Sequence, residues 1–101
     1  MGVAFNTYTI GAQNTFSTPL ALKTGGLLTL TGAFTATVSV QRQVEGTTTW
    51  VDVTNNSGTA FTATTEGTYN ITPVSVPGIY RWGVKTGNYT SGSIVGTLAG
   101  Q

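Results

Sequence analysis

The chain has 101 residues, of which 39% are hydrophobic and only 7% charged, with a formal net charge of +1. Its length suits one domain, and its apolar content separates it from disordered chains. Having no cysteine and no histidine, it excludes disulfides and thiolate or imidazole metal sites; Lys23, Arg42, Arg81 and Lys85 are too scattered to form a nucleic-acid patch.

The start, "MGVAF", has neither a charged n-region nor a long apolar h-region, so no signal peptide is expected. Asn6 stands where a myristoylation start would carry Ser or Thr. No apolar run reaches the ~18 residues of a membrane helix, and no membrane partner is expected. Threonine and glycine recur throughout. Threonine is β-branched and suits pleated strands, and no segment shows 3.6-residue apolar periodicity.

In chain order the pattern predicts strands at 7–10, 17–22, 27–31, 34–44, 49–54, 59–64, 68–72, 79–85 and 93–98. Gly and Asn punctuate them at sandwich-like spacing. Within 34–44, Phe34, Ala36, Val38 and Val40 share one face, and Thr35, Thr37, Ser39 and Gln41 share the other. Successive side chains of a strand point to opposite faces, so this is a half-buried strand. Pro73 and Pro77 bracket a segment that reads as an edge or crossover. In 79–85, Tyr80, Trp82 and Val84 are assigned to the core, with Arg81 and Lys85 opposite. "TGNYTSG" reads as a loop with Tyr89 at its tip, and Ile94, Gly96 and Leu98 belong to the last strand. The expectation is an all-β fold, an antiparallel two-sheet β-sandwich of immunoglobulin-like or jelly-roll-like type over 1–101, with no substantial helix.

The chemistry-bearing residues are few. Glu45, Asp52 and Glu66 are the only acids. Glu45 and Glu66 precede glycines at turns, and Asp52 fits a cross-strand partner, so no general acid–base pair is read. A nucleophilic triad lacks its histidine. No enzyme, cofactor or metal is expected. Trp50, Tyr89 and Trp82 are the candidate stacking aromatics for a sugar, and aromatics equally anchor protein interfaces. Asn55, Asn70 and Asn88 head sequons expected by chance in a Thr-rich chain. "QVEGTTTW" departs from the Asp-box of sialidases at Gln43 and Glu45 and in its glycine position; it reads as a hairpin with a packed tryptophan. "PGIYRWGVKTG" fits strand F of immunoglobulin-like sandwiches through Tyr80 and Trp82.

"VQRQVEGTTTWVDV", 40–53, carries the sharpest expectation. A two-residue turn at Gly46-Thr47 pairs Val44 with Thr49, Gln43 with Trp50, Arg42 with Val51 and Val40 with Val53. Val38, Val40, Val51 and Val53 then lie on the core face, and Trp50 and Asp52 on the outer face. The rival register pairs Arg42 with Asp52, gaining ~0.2–1 kcal/mol for the ion pair but forfeiting ~1.5–3 kcal/mol for each valine turned outward. Trp50 therefore leads the interface candidates, with Tyr89, Arg42, Arg81 and Lys85.

Val40-Gln41-Arg42, Gly46 and Thr49-Trp50 are followed by Tyr80-Arg81-Trp82-Gly83-Val84-Lys85-Thr86-Gly87 and Tyr89-Thr90-Ser91-Gly92. Over about two thirds of the chain this pattern resembles a family of small β-sandwich virion proteins of tailed bacteriophages and prophages. Glu45 and the missing second turn glycine depart from the family's commoner Asp-Gly-Gly turn. The resemblance implies a capsid decoration or cement protein on the virion surface, assembled in the host cytoplasm. Its partners would be the major capsid protein or other virion proteins, and it would form a homo-oligomer, a trimer being favoured. A head–tail or tail component, and a carbohydrate-binding module for host attachment, are the alternatives.

Overall fold

The computed structural model describes residues 4–22, 25–44, 46–54, 60–71 and 78–100. The readings attached to Lys23, Glu45, Asn55, Pro73 and Pro77 lie outside the described residues. The fold is all-β. Its strands are β1 (Ala4–Ile10), β2 (Thr15–Phe16), β3 (Leu20–Leu22), β4 (Gly26–Thr31), β5 (Phe34–Ala36), β6 (Val38–Gln43), β7 (Trp50–Asp52), β8 (Thr62–Ala63), β9 (Gly67–Ile71), β10 (Gly78–Val84), β11 (Tyr89–Gly92) and β12 (Ile94–Gly100).

One sheet has the order β1-β12-β4-β9. A second runs β2-β10-β6-β7, with β3 also on β10 and β8 also on β6, and β11 pairs with β5 in a short third ladder. All these pairings are antiparallel. The two larger sheets pack face to face as a β-sandwich. Alternation supplies the core from both: Ile10, Leu28, Leu30, Ile71, Ile94 and Leu98 from the four-stranded sheet meet Leu22, Val38, Val40, Tyr80, Trp82 and Val84 from the other. Tyr80, Trp82 and Val84 are fully buried, with Arg81 on the opposite face as the alternation requires.

Trp82 is the largest buried side chain, and Gly96 on the opposing β12 makes room for it. A Cβ at Gly96 would lie 2.7 Å from both Cε2 and Cη2 of the indole. The glycine in "IVGTL" is thus a recess in the sheet, where close approach rather than backbone conformation demands it.

The structure corrects four details. The segment 17–22 is not one strand. Its chain breaks at Ser17–Pro19, and proline cannot donate to a ladder. Buried Ser17 bridges the break, its N–H donating to the Trp82 carbonyl (2.8 Å) and its Oγ accepting the Trp82 N–H (3.1 Å). The segment 34–44 keeps its facing but changes partner at Thr37, whose N–H donates to the Asn88 carbonyl (2.8 Å).

Tyr89 does not sit on a loop tip. Ser39 pairs with Gly83 and Ala36 with Tyr89, so 85–88 is an excursion in a ladder that resumes in β11. Gly87 at φ 87° and the Asn88 N–H to Lys85 carbonyl bond (3.0 Å) shape that excursion. The turn after β6 also closes earlier than expected. The Thr47 N–H donates to the Val44 carbonyl (3.1 Å), with Gly46 at φ 76°; the Thr47 hydroxyl adds a second bond to the same carbonyl (2.8 Å).

Candidate functional site

The register of β6 and β7 is the expected one: Gln43 faces Trp50, Arg42 faces Val51 and Gln41 faces Asp52. The Val44 N–H donates to the Thr49 carbonyl (2.9 Å) and the Val53 N–H to the Val40 carbonyl (2.8 Å). Trp50 consequently projects from the outer face of the six-stranded sheet. Val53 is buried, but Val51 is 41% exposed. That corrects the assignment of Val51 to the core: it lies on the core side of β7, but β7 ends the sheet, and burial at that rim is incomplete.

Three of the five candidates meet on the outer face. The Arg81 guanidinium packs on the Phe16 ring at 3.9 Å and on the Trp50 ring at 4.2 Å. Its Nε and Nη2 both donate to Gln41 Oε1, at 3.0 and 2.7 Å. Gln41 Nε2 donates to Asp52 Oδ1 (3.2 Å), and Lys85 Nζ donates to Asp52 Oδ2 in an ion pair of 2.8 Å. The Lys85 bond holds the Asp52 carboxyl below its ordinary 3.8, against the upward push of burial and with help from Gln41. Burial lowers Arg81 from its ordinary value, yet guanidinium remains charged at neutral pH. One amide thus satisfies a cation and a carboxylate at once.

The other two candidates lie elsewhere. Arg42 points to the core side of β6, as Val38 and Val40 do, and lies beside Gly78, where a Cβ would be 3.3 Å from its Nε. Tyr89 packs its ring on the core, and its hydroxyl donates to the Gly92 carbonyl (2.8 Å). The structure therefore brings Trp50, Arg81 and Lys85 together and separates Arg42 and Tyr89 from them. Of the aromatics considered for stacking, Trp82 is fully buried and Trp50 carries Arg81 against its ring.

A second surface was not read from the sequence. On the outer face of the four-stranded sheet, register aligns side chains in transverse rows. Thr7, Thr97, Thr29 and Thr68 form one row; Phe5, Ala99, Leu27 and Asn70 form the next; Thr9, Val95 and Thr31 form the third. The Thr7 and Thr97 hydroxyls are 2.9 Å apart and those of Thr29 and Thr68 3.5 Å. No charged residue stands in these rows. Phe5 is 64% exposed, Leu27 45% and Val95 37%, so large apolar side chains face outward on this wall. The signal was present as alternation in "FNTYT", "LLTLT" and "VGTLA", but adjacency of the three segments is a property of the sheet order.

The surface also has an open groove of about 460 Å³ among Gly32, Phe34, Thr64, Glu66 and Ser91. Among the described residues Glu66 is the only charged one lining it, and one of its oxygens accepts the Gly32 N–H (2.8 Å). Among the described residues no cluster of three or more His, Cys, Asp or Glu is placed to hold a metal, and no helix is long and apolar enough to cross a membrane. No protein-family model matches the sequence, and neither a curated protein nor a solved structure matches it.

Proposed function

We propose that this chain is a non-enzymatic virion structural protein of the capsid decoration type, binding the head shell of a tailed phage and stabilising it. The observation that carries the reading is the uncharged wall of the four-stranded sheet. Exposed apolar side chains grouped with hydroxyls on one flat face mark interaction surfaces. Charge is gathered instead on the opposite outer face, at Arg81, Asp52 and Lys85. A two-faced domain suits a protein that covers a shell on one side and meets solvent on the other. The resemblance to small phage β-sandwich proteins agrees with this arrangement. In this reading the partner of the wall is the major capsid protein, and the protein acts at the capsid surface as a homo-oligomer, a trimer being favoured.

The test is mass spectrometry of particles purified from a lysate of the source strain, combined with an electron-microscopy map. The expected result is this chain at a copy number comparable to the shell subunit, with the wall of Phe5, Leu27 and Thr29 turned inward. A few copies confined to the tail would replace the decoration reading by the tail one. Absence from particles would overturn both.

A further inference from the structure

Among the described residues the four-stranded sheet ends in β1, which pairs there only with β12, in an unbroken register from Ala4↔Gly100 to Ile10↔Ile94. Natural edge strands are guarded by charge, proline, bulges or brevity. β1, "AFNTYTI", is seven residues long and has neither charge nor proline. Among its described side chains Ile10 alone is fully buried, next to the connection that follows. Asn6 is held on one side only: its Nδ2 donates to the Thr18 carbonyl (2.7 Å), while its buried Oδ1 has no partner among the described residues.

The connection, residues 11–14, is exposed and must cross from one sheet to the other before Thr15 pairs with Val84. Asn14 meets that demand at φ 52°, the only non-glycine described with positive φ. A non-glycine residue in this region stores strain, and short strained hinges beside a terminal element favour exchange between copies.

We propose that β1 exchanges between two copies of this chain, residues 4–10 of each pairing on β12 of the other in the same register. The occupant is a second copy because every group that receives β1, namely the β12 ladder, the Thr18 carbonyl and the core that buries Ile10, is present in any copy. Exchange preserves these contacts and opens the Asn14 hinge, so hinge strain and concentration set the balance. This inference goes beyond the shell-binding reading and stands without it.

The absence of cysteine makes the test clean. Thr7→Cys and Thr97→Cys chains, distinguished by tag mass, are co-refolded at high concentration and oxidised. A disulfide joining residue 7 of one chain to residue 97 of the other, in excess over both same-variant disulfides, is the expected result. Random proportions of the three species, or no disulfide, would overturn the proposal. The double variant at high dilution should close the bond within one chain; failure there would also overturn it, by removing the register it depends on. Asn14→Gly should lower the exchanged fraction about fivefold per hinge, the factor corresponding to about 1 kcal/mol of relieved strain. Asn14→Val should raise it, since a β-branched residue tolerates positive φ poorly. An equal exchanged fraction in both variants would overturn the hinge as the cause.

Discussion

Replacing Gly96 by alanine probes the closest fit in the core. Gly96 is not a position where φ demands glycine, so the substitution tests space alone. The added Cβ would lie 2.7 Å from Cε2 and Cη2 of Trp82 and closer still to Cζ2, whereas carbon atoms at optimal contact sit ~3.5–4.0 Å apart. The indole must therefore withdraw by about 1 Å, and it is fully buried between packed strands. Overpacking of this kind costs ~1–3 kcal/mol, against ~0.4–1 kcal/mol gained by restricting the unfolded chain. The net expectation is a loss of about 1.3 kcal/mol, or a fall in Tm of roughly 5–10 °C for a domain of this size. Urea unfolding followed by circular dichroism measures it. The decisive arm is the double variant. Trp82→Phe shortens the ring that meets Gly96 and removes Nε1, which is buried without a partner among the described residues, so in that background Gly96→Ala should cost little. An interaction energy of about 1–3 kcal/mol in the cycle is expected. Strict additivity, or a loss below about 0.5 kcal/mol for Gly96→Ala alone, would refute the recess.

Other perturbations follow from the same contacts. Trp82→Ala should cost roughly 3–5 kcal/mol, as large core aromatics do; a change well under 1 kcal/mol would mean that the β10 faces are inverted. Gln41→Leu leaves Arg81 and Asp52 without their shared amide and should lower stability by ~1.5–3 kcal/mol, read from the shift in denaturation midpoint. The folded-state pKa of Asp52 is depressed, so its contribution is present above 3.8 and fades as pH falls through the lower folded value. Comparing Asp52→Asn with the parent chain at neutral pH and near pH 3 should show the difference between them shrink; the exposed pair limits it to ~0.2–1 kcal/mol. Leu27→Lys places a charge on the wall at an exposed site, so stability should stay within about 0.5 kcal/mol; the proposed decoration role adds that binding to shells lacking the protein is lost, as sedimentation with those shells would report.

The local pattern determined a good deal. Threonine-rich alternation with turn residues permits strands and little else, because β-branched side chains lose freedom in a helix. The facing of Tyr80, Trp82 and Val84 followed from period two alone. The pairing of Gln43 with Trp50 followed because a one-residue slip turns every side chain of a strand to the other face. Tertiary structure decided what alternation cannot encode. Val51 obeys the register and is still exposed, because burial at a sheet rim depends on what the opposite layer covers. Tyr89 lies in a strand although "TGNYTSG" reads as a turn, because the ladder partner at Ala36 lies far away in sequence. Arg42 and Arg81 look equivalent in the chain and end on opposite faces of one sheet, separated by the parity of their strands and by the neighbours each strand acquires. The uncharged wall has the same origin: each strand carries its share of threonines, but only the order β1-β12-β4-β9 sets Thr7, Thr97, Thr29 and Thr68 side by side, since backbone hydrogen bonds between distant segments, rather than any local preference, fix which strands are neighbours.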